Sequence, residues 1–225
     1  MHGAESLAYD LDEVANAENY NAWLLARARP YLHGRVLDFG AGIGTFTAAL
    51  AAEADEVVAL EPDPALRAHL AEAAPAATLV DAADHLTGAF DAIVCFNVIE
   101  HVDDDQGALK RMRDLLTPDG KALLLVPAHP FLFGSLDEAF GHHRRYTTGS
   151  LRRRLDAVGL RPLELRYVNP VGALGWLVAS RIVRESRIPR GQLRVLNRSV
   201  SILRHLDRLR LPFGLSVWAV ATPSG

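Results

Sequence analysis

A single cysteine, Cys95, stands in a chain of 225 residues, so no disulfide can close within it and a cysteine-rich zinc site is excluded. No run of about 18 uninterrupted apolar residues occurs, the length a membrane-spanning helix needs. The opening stretch, MHGAESLAYDLDEVANAENY, lacks the basic flank and apolar centre of a secretory signal; a cytoplasmic protein is the expectation. Basic charge is also short. Twenty-four Lys and Arg against 27 Asp and Glu leave a net charge of −3, which makes no general case for nucleic-acid binding. Repeats and low-complexity linkers are missing as well. What is present, 49% hydrophobic and 23% charged residues, suffices for one domain with a substantial core.

Short β-rich runs alternate with helical patterns. RVLDF (35–39), EVVALE (56–61), ATLVD (77–81), FDAIVCFNV (90–98) and KALLLVPA (121–128) read as strands. Between them, Ala- and Leu-rich segments at 45–53, 64–74 and 106–116 read as helices. The strands are nearly continuous apolar runs, the pattern of strands covered on both faces, which predicts an α/β fold with a parallel sheet between helices. Pro118-Asp119-Gly120 predicts a turn that stops the preceding helix and feeds the fifth strand. A helix at 148–158 and strands at 161–169 and 215–222 follow. Residues 171–213 form a helical insertion between those last strands, broken around Pro189-Arg190-Gly191. The expected organisation is a single domain, 1–225, with an N-terminal helical cap (1–34), a core (35–128), a loop (129–147) and the insertion (171–213).

The loop after the first strand, FGAGIGT, sits where an open α/β sheet binds its ligand. Gly40, Gly42 and Gly44 allow a tight turn and close ligand approach. The dinucleotide fingerprint is poorly matched, because Thr45 stands where the third glycine belongs. Charge separates the alternatives further. A pyrophosphate here would meet Asp38, at a cost of about 1–4 kcal/mol for like charges a few ångströms apart. A ligand carrying a sulfonium and an ammonium group finds Asp38 complementary; a purely structural Asp38 would instead hydrogen-bond the loop. Glu61, stiffened by Pro62, is placed to accept both hydroxyls of a ribose. Asp81 is placed for an adenine amino group with Ala82 supplying a backbone donor, or else for a helix cap.

VLDFGAGIGTFT, VVALEPD, LVDAAD, FDAIVCFNVIEHVDD and LTPDGKALLLVPA, in this order and spacing over residues 35–128, resemble the class I S-adenosylmethionine-dependent methyltransferases. The resemblance extends to the ubiquinone-biosynthesis and natural-product sub-group. It implies a Rossmann-like seven-stranded sheet, mostly parallel with an antiparallel last strand, helices on both faces and the helical insertion before that strand. It also implies S-adenosylmethionine as cofactor and S-adenosylhomocysteine as product. Asp38, Gly40, Ala41 and Gly42 would hold the methionine portion, Glu61 and Pro62 the ribose side, and Asp81 and Ala82 the adenine. Asn97 would lie where cofactor and acceptor meet. In the ubiquinone-biosynthesis relatives an acidic cluster with a histidine near this strand end is linked to a metal; Asn97 departs from it, and no metal is expected.

The acceptor side is read from AHPFLFGSLDEAFGHHRRYTTGSL (128–151). His142 is the first candidate base, since an ordinary imidazole titrates near neutrality; Asp137 orients it or serves as the base itself. His101, after Glu100, is either a further catalytic group or a packing residue. Phe131, Phe133, Phe140 and Trp176 can wall a pocket, with His143 and Tyr146 among its polar groups. Arg144 and Arg145 either clamp an anionic substrate or tie Asp137, Glu138 and nearby loops together. The acceptor is expected to be a small molecule or a lipid-linked one methylated on oxygen. N- or C-methylation, a non-catalytic cofactor-binding scaffold and a nicotinamide dehydrogenase are the alternatives. Residues 181–210 hold nine arginines against Glu185 and Asp207, so 171–213 reads as a substrate lid, a dimer surface or a membrane-surface contact. A monomer or homodimer is expected.

Overall fold

The computed structural model describes residues 15–185 and 190–224; the acidic N-terminal stretch 1–14, Arg187 and Pro189 lie outside the described residues. Seven strands form one sheet: β1 (Arg35–Phe39), β2 (Glu56–Leu60), β3 (Thr78–Val80), β4 (Phe90–Phe96), β5 (Leu116–Pro127), β6 (Leu160–Val168) and β7 (Ser216–Pro223). Their order is β3-β2-β1-β4-β5-β7-β6. β1 to β5 pair in parallel, and β7 runs antiparallel between β5 and β6. The order reverses between β1 and β4, so their carboxyl ends open the crevice in which such sheets bind ligands.

The α-helices are α1 (Glu18–Ala28), α2 (Thr47–Ala51), α3 (Pro64–Ala73), α4 (Asp105–Leu115), α5 (Ser135–Ala139), α6 (Thr148–Ala157), α7 (Pro170–Trp176), α8 (Arg190–Arg198) and α9 (Val200–Arg208). Successive strand residues face opposite ways, and both directions are apolar here. Leu37, Ile93, Cys95 and Leu124 pack with Leu109 and Met112 of α4 and Leu151 and Leu155 of α6. Val36, Val94, Leu123 and Trp218 pack on the other face with Trp23 and Leu24 of α1 and Leu50 of α2. Each such side chain contributes roughly 1.5–3 kcal/mol when fully buried, and the continuous apolar strands follow from having two faces to cover.

Two features differ from the sequence expectation. The fifth strand begins at Leu116 rather than at 121: Phe90 pairs with Leu116, and the register resumes at Ala92 with Lys121. Pro118-Asp119-Gly120 is thus a bulge within β5, where a Cβ on Gly120 would come within 2.9 Å of the Phe90 carbonyl. The insertion also divides into halves with different roles. α7 continues as the π-helical segment Leu177–Val183, which lies beside α5 and the turn Pro130–Leu132. α9 instead buries Val200 and Leu203 against Trp23 and Leu24, and Asn197 accepts the backbone N–H groups of Asn19 and Tyr20 at 2.8 and 3.2 Å. That half covers the sheet. Among the described residues, no helix is long and apolar enough to cross a membrane.

Candidate active site

Asp38 lies on β1 at the mouth of the crevice, 5% exposed. Its side chain accepts the Thr47 hydroxyl of α2 at 2.7 Å. Burial pushes its carboxyl up to about 6, against the Thr47 bond, and Glu61 pushes the same way. A buried carboxylate short of positive charge is a receptor for a cation. The glycine loop above it needs its glycines: at Gly40, φ is +80° and a Cβ would lie 2.6 Å from Val98. Ala41 is buried beneath the loop, and the N–H groups of Gly40 and Ala41 both donate to the Leu60 carbonyl.

Glu61 follows β2. One oxygen accepts the Gly42 N–H at 2.8 Å and the other the Asp63 N–H at 2.9 Å. Each oxygen retains acceptor capacity for a ribose hydroxyl. Arg67 donates to the Glu61 and Pro62 carbonyls, pinning the Glu61-Pro62 turn. Asp81 caps no helix; its side chain is bonded to His85 Nδ1 at 2.7 Å, a contact that holds it below the usual carboxylate range. Ala82 closes the short turn through its carbonyl to the His85 N–H. Asn97 is exposed at the end of β4 with φ +53°, a left-handed conformation that Asn tolerates better than most residues.

Beyond β5, a polar cluster assembles from three segments. His142 Nδ1 meets Asp137 Oδ1 at 2.7 Å. Asp137 is fully buried and accepts Arg145 Nε at 2.6 Å, the Gly134 N–H at 3.0 Å and the Trp176 indole at 3.3 Å. Burial alone would raise its pKa; the bonds from His142 and Arg145 more than offset that and hold it below the usual range. With the Asp137 carboxylate accepting from Nδ1, Nε2 is the ring nitrogen left free of that contact. His101 packs edge-on against His142, ring centroids 4.8 Å apart. The protein crowding it on its inner side, together with His142, keeps it below the ordinary imidazole range. Phe140 (6.0 Å from His142) and Trp176 complete an aromatic wall.

Glu100 adds a group that the candidate residues did not include. It is fully buried, and among the described residues neither carboxylate oxygen has a hydrogen-bond partner; burial pushes it up to about 8, with Arg145 pulling the other way. One ligand atom each from Glu100, His101 and His142 lies within 4.8 Å of the others. No metal was expected once Asn97 broke the acidic pattern, yet an orphaned buried carboxylate beside two imidazoles is a donor set that fits a divalent cation. Its sequence signal, Glu100 next to His101, was visible; its third member lies 41 residues on.

Several residues assigned to the acceptor point elsewhere. Arg145 is buried in its ion pair with Asp137, donates to the Ala128 carbonyl and lies 4.7 Å over the Trp176 ring. Arg144 donates to the carbonyls of Val102 and Asp103 and pairs with Asp105 at 3.3 Å. Tyr146 is buried, its hydroxyl on Asp105 Oδ2 at 2.9 Å, and burial together with Asp105 pushes that phenol well up. These three form the internal latch. Phe131 is 64% exposed, its ring tilted against that of His129. Phe133 is half-buried, its carbonyl taken by Arg181, and His143 sits at the rim against Asp103.

The latch gives a stability prediction. Arg145→Met leaves Asp137 buried without its cation and should cost about 3–5 kcal/mol, read from urea unfolding at pH 7; a loss under about 1 kcal/mol would contradict the pairing. Because Asp137 is held below its ordinary pKa in the folded chain, its share of stability is present above the unfolded value and disappears as pH falls through the lowered one. The wild-type and variant curves should therefore converge in acid.

A sheet of this order, with an acid at the end of β1, a glycine loop and a second acid after β2, defines a class I S-adenosylmethionine-dependent methyltransferase. Residues 14–165 match the model of a family described as a methyltransferase domain, and the chain belongs to that family. It is 33% identical over 99 residues to a ubiquinone biosynthesis O-methyltransferase of Xanthomonas oryzae, an overlap of 40% of this chain and 41% of that one. The chain spans less than half the length of the curated relatives it matches. Among solved structures it is similar to a putative methyltransferase of Haloferax volcanii, seen in complex with the Trm112 methyltransferase activator (14% identity, TM-score 0.66, 97% and 96% of the two chains). It is also similar to the protein of a DhpI-SAH complex (16% identity, TM-score 0.58, 99% of both chains). Those two likenesses are of fold.

Proposed function

We propose that this chain methylates an oxygen of a small-molecule or lipid-linked acceptor, with His142 as the base. Bound over Asp38 and the glycine loop, S-adenosylmethionine supplies an activated methyl group on a sulfonium, leaving as S-adenosylhomocysteine. Methyl transfer of this kind asks the protein mainly for alignment and a dry pocket. A hydroxyl acceptor adds one demand, a place for its proton. The observation that carries the reading is the His142–Asp137 contact at 2.7 Å. The acceptor proton passes to His142 Nε2, and the imidazolium so formed lies against a carboxylate that Arg145 and Trp176 keep fixed. Phe140 and Trp176 would shield the transfer from water. The name of the Xanthomonas relative supports oxygen as the acceptor atom. Alternatively, Glu100, His101 and His142 would hold a divalent cation, which would make an acceptor hydroxyl more acidic; with Nδ1 on Asp137, His142 Nε2 would then be a ligand and not the base.

The test is incubation with methyl-labelled S-adenosylmethionine and a panel of catechols, phenols and carboxylic acids, with amines for comparison, read by mass. The expected result is a product one methyl group heavier, labelled on oxygen and formed one-for-one with S-adenosylhomocysteine. Label on nitrogen or carbon alone would refute oxygen as the acceptor. Tight cofactor binding without transfer to any class would favour the scaffold.

A further inference from the structure

We propose that the outward face of α7 and its continuation docks on an anionic lipid surface. This segment is apolar on the wrong side for a soluble helix. Its inner side is already occupied: Ala173, Ala179 and Ser180 are buried, Val171 packs on the core and Trp176 on Asp137 and Phe140, the Ser180 hydroxyl accepts the Leu136 N–H at 3.3 Å, and Arg181 donates to the Phe133 carbonyl at 3.0 Å. Its outer residues are large and apolar. Leu174, Val178 and Ile182, four residues apart, are 63%, 46% and 70% exposed, and Val183 beside them is 58% exposed. Phe131 projects from the turn packed next to this segment. The hydrogen bonds inward hold the ladder in place, so it is presented rather than waiting to fold away.

Charge selects the occupant. Arg181 and Arg184 are exposed at the end of the ladder, flanking a hollow of about 360 Å³ lined also by Gly134, Ser135, Glu138 and Ser180. Glu138 offsets one of the two charges. Farther along, Arg194, Arg198 and Arg210 are exposed too, and the sequence of 181–210 sets nine arginines against two acids. A second protein surface of mixed charge would not call for that excess. Apolar side chains bordered by arginines match an interfacial helix, its ladder in the acyl boundary and its guanidinium groups at lipid phosphates. Because no described helix can cross a membrane, the contact is peripheral. It stands independently of the methyl-transfer reading.

The experiment is co-sedimentation of the full chain with phosphatidylglycerol–phosphatidylcholine vesicles and with phosphatidylcholine vesicles, at low and high salt. Binding to the anionic vesicles is expected to be at least about tenfold stronger and to weaken with salt. L174Q/I182Q should lose at least about tenfold in binding, and R184Q should weaken binding to the anionic vesicles by about fivefold, both keeping wild-type circular dichroism and S-adenosylmethionine affinity. No binding by wild type, or equal binding by wild type and L174Q/I182Q, overturns the proposal. So does a wild-type dimer that L174Q/I182Q converts to monomer in light scattering without vesicle binding, which would make a second copy the occupant.

Discussion

Replacing His142 with alanine lowers turnover by about 10²- to 10⁴-fold and leaves the affinity for S-adenosylmethionine within about twofold of wild type. The separation follows from where the two halves of the site lie. Among the described residues His142 meets Asp137 and Phe140 of the loop after β5 and His101 after β4, and none of these belongs to the glycine loop. Its loss would remove the proposed proton acceptor while Asp137 keeps Arg145, the Gly134 N–H and Trp176, so the fold around it should survive. Steady-state kinetics together with calorimetric titration read both quantities. Unchanged turnover would reduce His142 to a pocket wall, and a parallel loss of cofactor affinity would mean that the two halves are one.

Asp38→Asn moves affinity and stability in opposite directions. The free carboxylate is buried and its pKa stands at about 6, above the ordinary value. In such a case the folded chain binds the proton more tightly than the unfolded one. Stability is therefore lost as pH rises from the unfolded value through about 6, and stays reduced above it. Asparagine removes that penalty, on the order of 3 kcal/mol at neutral pH, and can still accept the Thr47 hydroxyl. The cofactor-free variant should accordingly melt higher than wild type. Its affinity for S-adenosylmethionine should fall by about 10²-fold, the loss of a buried charge-assisted contact of about 2–3 kcal/mol. Wild-type affinity should weaken below pH 6, where Asp38 must release a proton to meet a cation, and the variant should be flat there. A variant that binds as wild type does, with the same pH profile, would remove Asp38 from the cation site.

The core was legible because both faces of β1, β2, β4 and β5 are covered, so apolar runs and helix spacing carried the central strands. The turn at Asp38 and Gly40 was legible because one short stretch contains the turn and its charge, and Glu61 because it directly follows the next strand. The limits lie where contacts cross long separations. Arg144, Arg145 and Tyr146 look like a substrate clamp in sequence, yet two of them reach Asp105, about forty positions earlier, and the third is closed off under Trp176. Adjacent residues in an irregular loop carry no period from which direction can be read. The bulge at 117–120 resembles a terminating turn because both use Pro, Asp and Gly. In the insertion, Val200 and Leu203 are hidden among arginines, so their burial against α1 left no pattern distinct from a lid.

The most direct test of the central claim, that Asp38 and the glycine loop form a cation-accepting S-adenosylmethionine site rather than a dinucleotide site, is calorimetric titration of the purified chain at pH 7 with S-adenosylmethionine, S-adenosylhomocysteine and NAD. Saturable one-to-one binding of the first two and none of NAD is the predicted result. Saturable binding of NAD with no heat from S-adenosylmethionine would contradict it.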